Sequence, residues 1–319
     1  VAGQILFATP DRHLVVTDGR IRLSAGPKEN FSRPAVDPLF RSAAIQYGRD
    51  VIGVLLSGDL DDGTVGLQII KSYGGIAVVQ DPEQAEAPSM PKNAMNHVHV
   101  DWCLPLDQLA PKLIELTAQG APTSVLQSVP PIRDLDTLEN RFQTRNPPSM
   151  DEYMALSQPS VHTCPECNGV LGEIDDRTVL RYRCHTGHAF TASTLADAQQ
   201  RSTEEALWGA VRALQEKEAL LSKLATRADE NGRPSQGNEH RRAAQLARTQ
   251  SESVRNLLID VRHTTRLADR FGIARNPNEV HADPSDRRHG TSSTRSEGCE
   301  LMYLADAIAF GLPLLHPPA

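Results

Sequence analysis

Three carboxylates, Asp59, Asp61 and Asp62, stand within four residues in the stretch GVLLSGDLDDGTVGL (53–67), directly after an apolar run. Carboxylates so placed can bind a cation or cap a helix. A calcium loop needs a glutamate at its twelfth position, and counting from Asp59 that position is Ile70. A phosphate-binding loop needs a lysine after the second glycine, where Thr64 stands, and three acids would repel a phosphate. With those two excluded, the local reading that remains is a helix cap from Asp61 or Asp62.

A second constellation lies 100 residues on. CPEC (164–167) and CHTGH (184–188) are separated by sixteen residues, which gives Cys164, Cys167, Cys184 and His188 the spacing of a Cys3His zinc site. Four protein ligands leave no open position, so the predicted zinc is structural. His185 follows Cys184 directly and in an extended segment points to the other side, so it is the weaker candidate for the fourth ligand. Reduced thiols without metal, or a disulfide, are the competing readings of the same cysteines. Five cysteines in all make no paired framework, and Cys103 and Cys299 have no assigned role.

The elements that must hold these residues follow from periodicity. VIGVLL (51–56) reads as a strand covered on both faces, and TVGLQIIKSYGG after it has helical spacing, which puts the acids on a strand-to-helix turn. In an open α/β sheet such turns at the carboxyl ends of strands collect ligands and chemistry. Upstream, residues 4–8 read as a strand and HLVVTDGRIRL as a hairpin turning at Asp18-Gly19, with a helix at 37–47. Downstream come a strand at 76–81, a short helix opened by Pro91 and a helix at 106–118. Alternating strands and helices define an α/β class with a mostly parallel sheet over 1–118. Residues 119–159 read as a linker, 160–192 as a small zinc-ribbon-like module, 193–271 as a helical hairpin and 272–319 as a disordered tail.

The blocks ATPDRHLVV, DGRIRLSAGP, RPAVDPLFRSAA, GVLLSGDLDDGTVGL, VVQDPEQAEAPSMPKNAM and VDWCLPLDQLAPKL stand in this order over 1–118. Together they resemble the protein-glutamate methylesterase domain of bacterial chemotaxis, the CheB family. The module and the helical run after it resemble the C-terminal extension of some family members that lack a receiver domain. The resemblance implies hydrolysis of glutamyl methyl esters on methyl-accepting chemoreceptors by a Ser-His-Asp triad, and it assigns the aspartate to Asp62. The family's serine and histidine lie upstream of the segment matching residue 1, so the chain as given is expected to be inactive. No G-x-S-x-G occurs, Ser57 stands at what resembles the family's strand-end threonine, and His13 falls at a hairpin position read as surface. Asp59 and Leu60 replace the family's usual Met-Gly; Asp59 is expected to face solvent, since a further carboxylate would oppose a developing oxyanion. The competing function is a non-catalytic, zinc-binding interaction protein with a remnant esterase domain.

Composition agrees with a chain of several parts. Of 319 residues, 39% are hydrophobic and 4% aromatic, lean for one large globule, and the net charge of −7 argues against a nucleic-acid partner. No apolar run is long enough to insert in a membrane and no export signal opens the sequence, so a cytoplasmic location is expected. Catalysis by the triad calls for no cofactor.

Overall fold

The computed structural model describes residues 4–118, 133–175, 178–271 and 307–311. Two strands, β1 (His13–Thr17) and β2 (Arg20–Ser24), pair antiparallel across a two-residue turn. Asp18 and Gly19 have φ of 53° and 67°, the left-handed pair that such a turn requires and that Asp-Gly adopts readily. Helix α1 (Val36–Tyr47) follows, then β3 (Val51–Leu55), α2 (Thr64–Ser72), β4 (Ile76–Gln80), α3 (Ser89–His97), β5 (Trp102–Leu104) and α4 (Leu106–Ala118).

β3, β4 and β5 form a parallel sheet in that order, as the alternation of strands and helices requires. Because successive strand residues face opposite ways, Val51, Leu55, Ala77 and Val79 join Phe40, Leu67, Ile69 and Ile70 of α1 and α2, while Ile52, Val54 and Val78 meet Leu109 of α4. Gly53 lets α2 approach: a Cβ there would lie 2.6 Å from Ile70 and 2.7 Å from Leu67.

Several expectations change. Residues 4–8 form no strand; Ile5, Leu6 and Phe7 are exposed, and an apolar run alone cannot supply ladder partners. β5, three residues long, is too short to show a period. Residues 133–156, read as linker, carry α5 (Asp134–Arg141) and α6 (Met150–Leu156). α6 starts in a capping box, Ser149 accepting from the Glu152 N–H while Glu152 accepts from that of Ser149. Of the segment read as a disordered tail, Ala307–Gly311 (β10) runs antiparallel along the outer edge of β3, whose unpaired backbone groups a neighbouring strand satisfies; 272–306 and 312–319, with Cys299, lie outside the described residues. The part of the expected linker at 119–132 lies outside them too.

The cysteine-bearing region is a four-stranded antiparallel sheet, β6 (Gln158–Thr163), β7 (Val170–Ile174), β8 (Arg181–Cys184) and β9 (Ala189–Thr191), in sequential order. It belongs to the same compact unit as the parallel sheet, a unit that includes residues up to Asp197. A second unit, beginning at Ala198, holds most of α7 (Ala192–Glu230) and α8 (Pro234–Phe271). Its buried positions, Val211, Ala225 and Ala228 on α7 and Ala244, Ala247, Ser251 and Leu258 on α8, recur at helical spacing. Gly237 admits the Asp229 carboxylate, which a Cβ would meet at 2.2 Å, and Arg241 pairs with Asp229 at 2.5 Å.

Candidate functional site

The acidic turn answers to helix termini. The first N–H groups of any helix lack an intrahelical acceptor, and Ala35, which precedes α1, has no side chain to offer one. Asp62 supplies it from 26 residues away: its carboxylate accepts from the N–H of Val36 at 2.7 Å and of Asp37 at 3.3 Å. Asp37 returns the interaction, accepting at 2.7 Å from the N–H of Gly66 in the first turn of α2. The two helices thus cap each other with buried carboxylates, each at the positive end of its partner's dipole. The cap of Asp62 falls on α1, whereas its sequence position had pointed to α2.

Burial raises the pKa of Asp62 to about 6, against the lowering effect of the two N–H donors. Burial, then the charge of Asp62, drives Asp37 well above the ordinary carboxylate range. Asp61 is buried as well and is pushed up to about 6 by desolvation; one oxygen accepts from the Thr191 hydroxyl at 2.5 Å and the other has no partner. Asp59 is exposed. Leu60 adopts φ of 64°, with its carbonyl accepting from Ser89 and Asn93 at 2.9 and 2.7 Å.

His13 is fully buried rather than on the hairpin surface. Its Nδ1 accepts from the Ala35 N–H at 3.1 Å and its Nε2–H donates to the Pro27 carbonyl at 3.0 Å, so both nitrogens are committed and burial keeps the ring's pKa low. Ser57 is committed too, its hydroxyl oxygen accepting from the Ala87 N–H at 2.8 Å. Neither residue is arranged as a nucleophile or a base beside Asp62.

Cys164, Cys167, Cys184 and His188 converge so that their donor atoms all lie within 4.8 Å of one another. Cys167–Cys184 is 3.7 Å, Cys164–His188 Nδ1 3.7 Å and Cys184–His188 Nδ1 3.5 Å. A tetrahedron with metal–sulfur bonds of about 2.3 Å and a metal–nitrogen bond of about 2.0 Å has edges of about 3.5–3.8 Å. The donor set therefore fits a tetrahedral metal ion. Two tight turns build it: Asn168 N–H returns to the Cys164 carbonyl and Gly187 N–H to that of Cys184, with φ of 60° at Asn168 and 101° at Gly187. A sulfur hydrogen bond from Cys164, with help from Thr186 and His188, lowers the Cys184 thiol well below the ordinary thiol range. His185 is exposed and outside the cluster.

Between the two sites lies a buried charge network. Glu29 receives Arg41 at 3.1 and 2.5 Å and Arg183 at 3.3 Å; Glu139 receives Arg181 at 2.9 and 2.7 Å and Arg183 at 3.0 Å. Burial alone would raise both glutamates, but the guanidinium groups more than offset it: Glu139 falls to about 2 and Glu29 lower still. Arg183 thereby joins β8 to the 29 loop and to α5. None of these five residues stood out in the sequence, because ion pairs between distant segments leave no local period; of Thr191, a threonine just before a long helical pattern was a readable cap signal.

Residues 1–113 match the family model for CheB methylesterase. They are a segment of a CheB-type methylesterase domain. A putative protein-glutamate methylesterase/protein-glutamine glutaminase of Leptospira interrogans is 42% identical over 116 residues, 36% of this chain and 60% of that protein. Protein-glutamate methylesterase/protein-glutamine glutaminase 2 of Anaeromyxobacter dehalogenans is 45% identical over 116 residues, 36% of this chain and 34% of its own length. The chain thus spans 60% or less of these relatives. Among solved structures, the catalytic domain of Thermotoga maritima CheB methylesterase is 36% identical, with 33% of this chain and 58% of that one covered and a TM-score of 0.32. No helix among the described residues is long and apolar enough to cross a membrane.

Proposed function

We propose that residues 1–118 supply the orienting aspartate, Asp62, of a protein-glutamate methylesterase whose serine and histidine belong to the part of the domain that this chain does not match. The observation that carries this reading is the state of the Asp62 carboxylate: buried, held by two backbone N–H groups and the Asn30 side chain, and with about four lone-pair sites, so that one is left for a further donor. Such a carboxylate is pre-set to accept an imidazole N–H, to fix its tautomer and to stabilise the imidazolium. The histidine would take the serine proton as Oγ attacks the glutamyl ester carbonyl, then return it to the departing methanol; water would hydrolyse the acyl-enzyme by the same relay. An amide in place of the ester would release ammonia by the same steps, in keeping with the second activity in the relatives' names. The substrates would be glutamyl side chains of chemoreceptors, reached from the cytoplasm.

We further propose that Cys164, Cys167, Cys184 and His188 hold one structural zinc ion. When bound it supplies cross-linking of the two turns and, with four protein ligands, no open position for chemistry.

The test is methanol release from methylated receptor membranes. The chain alone should give none. Joined to the upstream half of a family domain it should become active, and Asp62→Asn should then lower kcat by orders of magnitude through the wrong tautomer. An active joined protein indifferent to Asp62→Asn would refute the assignment. No activity in any joined form would favour the interaction-protein reading.

A further inference from the structure

Asp62 is held by more than its two backbone hydrogen bonds, since the Asn30 side chain also donates to it. Its neighbour Asp61 is tied to Thr191, which directly precedes α7 and caps it by accepting from the Thr194 N–H at 3.1 Å. One hydroxyl thus bridges the acidic turn and a helix start: its hydrogen goes to Asp61 and its lone pair to Thr194. Asn30 runs alongside. Its carbonyl oxygen accepts from the Thr191 N–H at 3.3 Å and the Thr194 hydroxyl at 3.2 Å, and its amide donates to Asp37 at 3.1 Å. All of these groups are buried.

Thr191 is in turn placed by the cysteine-bearing sheet. It is the last residue of β9, whose register on β8 pairs Arg181 with Thr191 and Arg183 with Ala189. The turn between those strands runs from Cys184 to His188, two of the four converging donors. Ala189 is anchored from the other side, accepting from the Asn30 N–H at 2.9 Å.

We propose that Thr191 is a positioning residue for the acidic turn, fixing Asp61 and through it the Asp62 carboxylate, and that a metal ion at the Cys3His cluster sets how firmly Thr191 does so. The inference rests on the zinc and Asp62 readings above and deepens both, giving the metal module a part in holding the esterase site. A threonine serves here because the position needs a donor and an acceptor on one short side chain; valine has the shape and neither function.

The N–H groups of Val36 and Asp37 offer a direct readout. As the first two residues of α1 they have no intrahelical acceptor, so their protection from hydrogen exchange reports the Asp62 carboxylate itself. Exchange would be followed by NMR in the zinc-loaded full chain, with zinc content measured for each variant. In Thr191→Val, zinc should remain at one equivalent while protection of Val36 and Asp37 falls about ten-fold or more, the scale of a lost hydrogen bond to a charged group. Protection at Val78 and Val79 in β4 should stay unchanged, and Thr191→Ser should restore Val36 and Asp37. Chelation of wild type should reproduce the valine variant. Unchanged protection in Thr191→Val with zinc bound would overturn the positioning role, as would equal loss at Val78 and Val79. Loss in Thr191→Val but none on chelation would overturn the metal link. Protein that never takes up zinc would refute the zinc reading, while the valine and serine variants still decide the positioning role.

Discussion

Replacing Glu139 by glutamine should destabilise the unit that carries both sites by about 3–5 kcal/mol, the cost of removing one partner from a buried ion pair. The structure supports that range. Glu139 is 2% exposed and faces two guanidinium groups, Arg181 and Arg183, and among the described residues the other anion bonded to Arg183 is Glu29, which already serves Arg41. Glutamine keeps the shape and leaves three buried guanidinium groups, Arg41, Arg181 and Arg183, with Glu29 as the one glutamate of this network. A second route gives a similar size. With an ordinary value of 4.5 and a folded value of about 2, linkage assigns Glu139 about 3 kcal/mol at neutral pH. Because the folded pKa is the lower one, that stability is present above pH 4.5 and is lost as pH falls toward 2. Thermal unfolding followed by circular dichroism at pH 7 should show Glu139→Gln melting about 6–20 °C below wild type. At pH 3 the gap should narrow, since wild type is then losing the same charge. A shift under 2 °C at pH 7, or a gap that widens in acid, would refute the reasoning.

The other acids have the opposite sign. Asp61 has a raised pKa of about 6, so its charge destabilises the fold above that value and the penalty fades as pH falls toward 4; Asp61→Asn should stabilise by about 1–3 kcal/mol at pH 7 and little near pH 4, by urea titration. Zinc should be found at one equivalent by elemental analysis, and chelation should open Cys164, Cys167 and Cys184 to alkylation while exposed Cys103 reacts throughout. Cys184→Ser should mimic chelation and His185→Ala should not. Leu60→Gly should raise stability by up to about 1 kcal/mol, since the left-handed backbone at φ 64° strains a residue with a Cβ; a lower melting temperature would show that the leucine side chain matters more.

Much of the α/β part was legible because its signals are local. Asp18-Gly19 names its own turn, and the apolar run at 51–56 followed by helical spacing names a strand and a helix. The donor set at 164–188 was legible for the same reason, two short motifs at a metal-site interval. What stayed hidden depends on distant partners. Glu139 sits in a polar stretch without periodicity, and only Arg181 and Arg183, over 40 residues later, make it a buried residue. The capping box at Ser149 and Glu152 was visible as S-x-x-E, but the prolines at 147 and 148 drew the segment toward a linker. Asp62 could be read as a cap from its position; which helix it caps is decided by the tertiary packing of α1 on α2.

The buried charge network also imposes a schedule on biosynthesis. Glu29 and Arg41 leave the ribosome close together, yet Arg183, the residue that joins them to Glu139, lies 154 positions after Glu29. At about 5–20 residues per second, the interval is about 8–30 seconds. Through it the nascent parallel sheet carries an unfinished ion cluster, and until Asp134–Arg141 emerges it also carries the uncovered face of α1 that α5 occupies. Closing so long a loop is itself slow, and exposed apolar surface invites aggregation in the meantime. Translation pauses placed after residue 118 would lengthen this vulnerable period, whereas chaperones that shield α1 until Arg183 emerges would shorten it in effect.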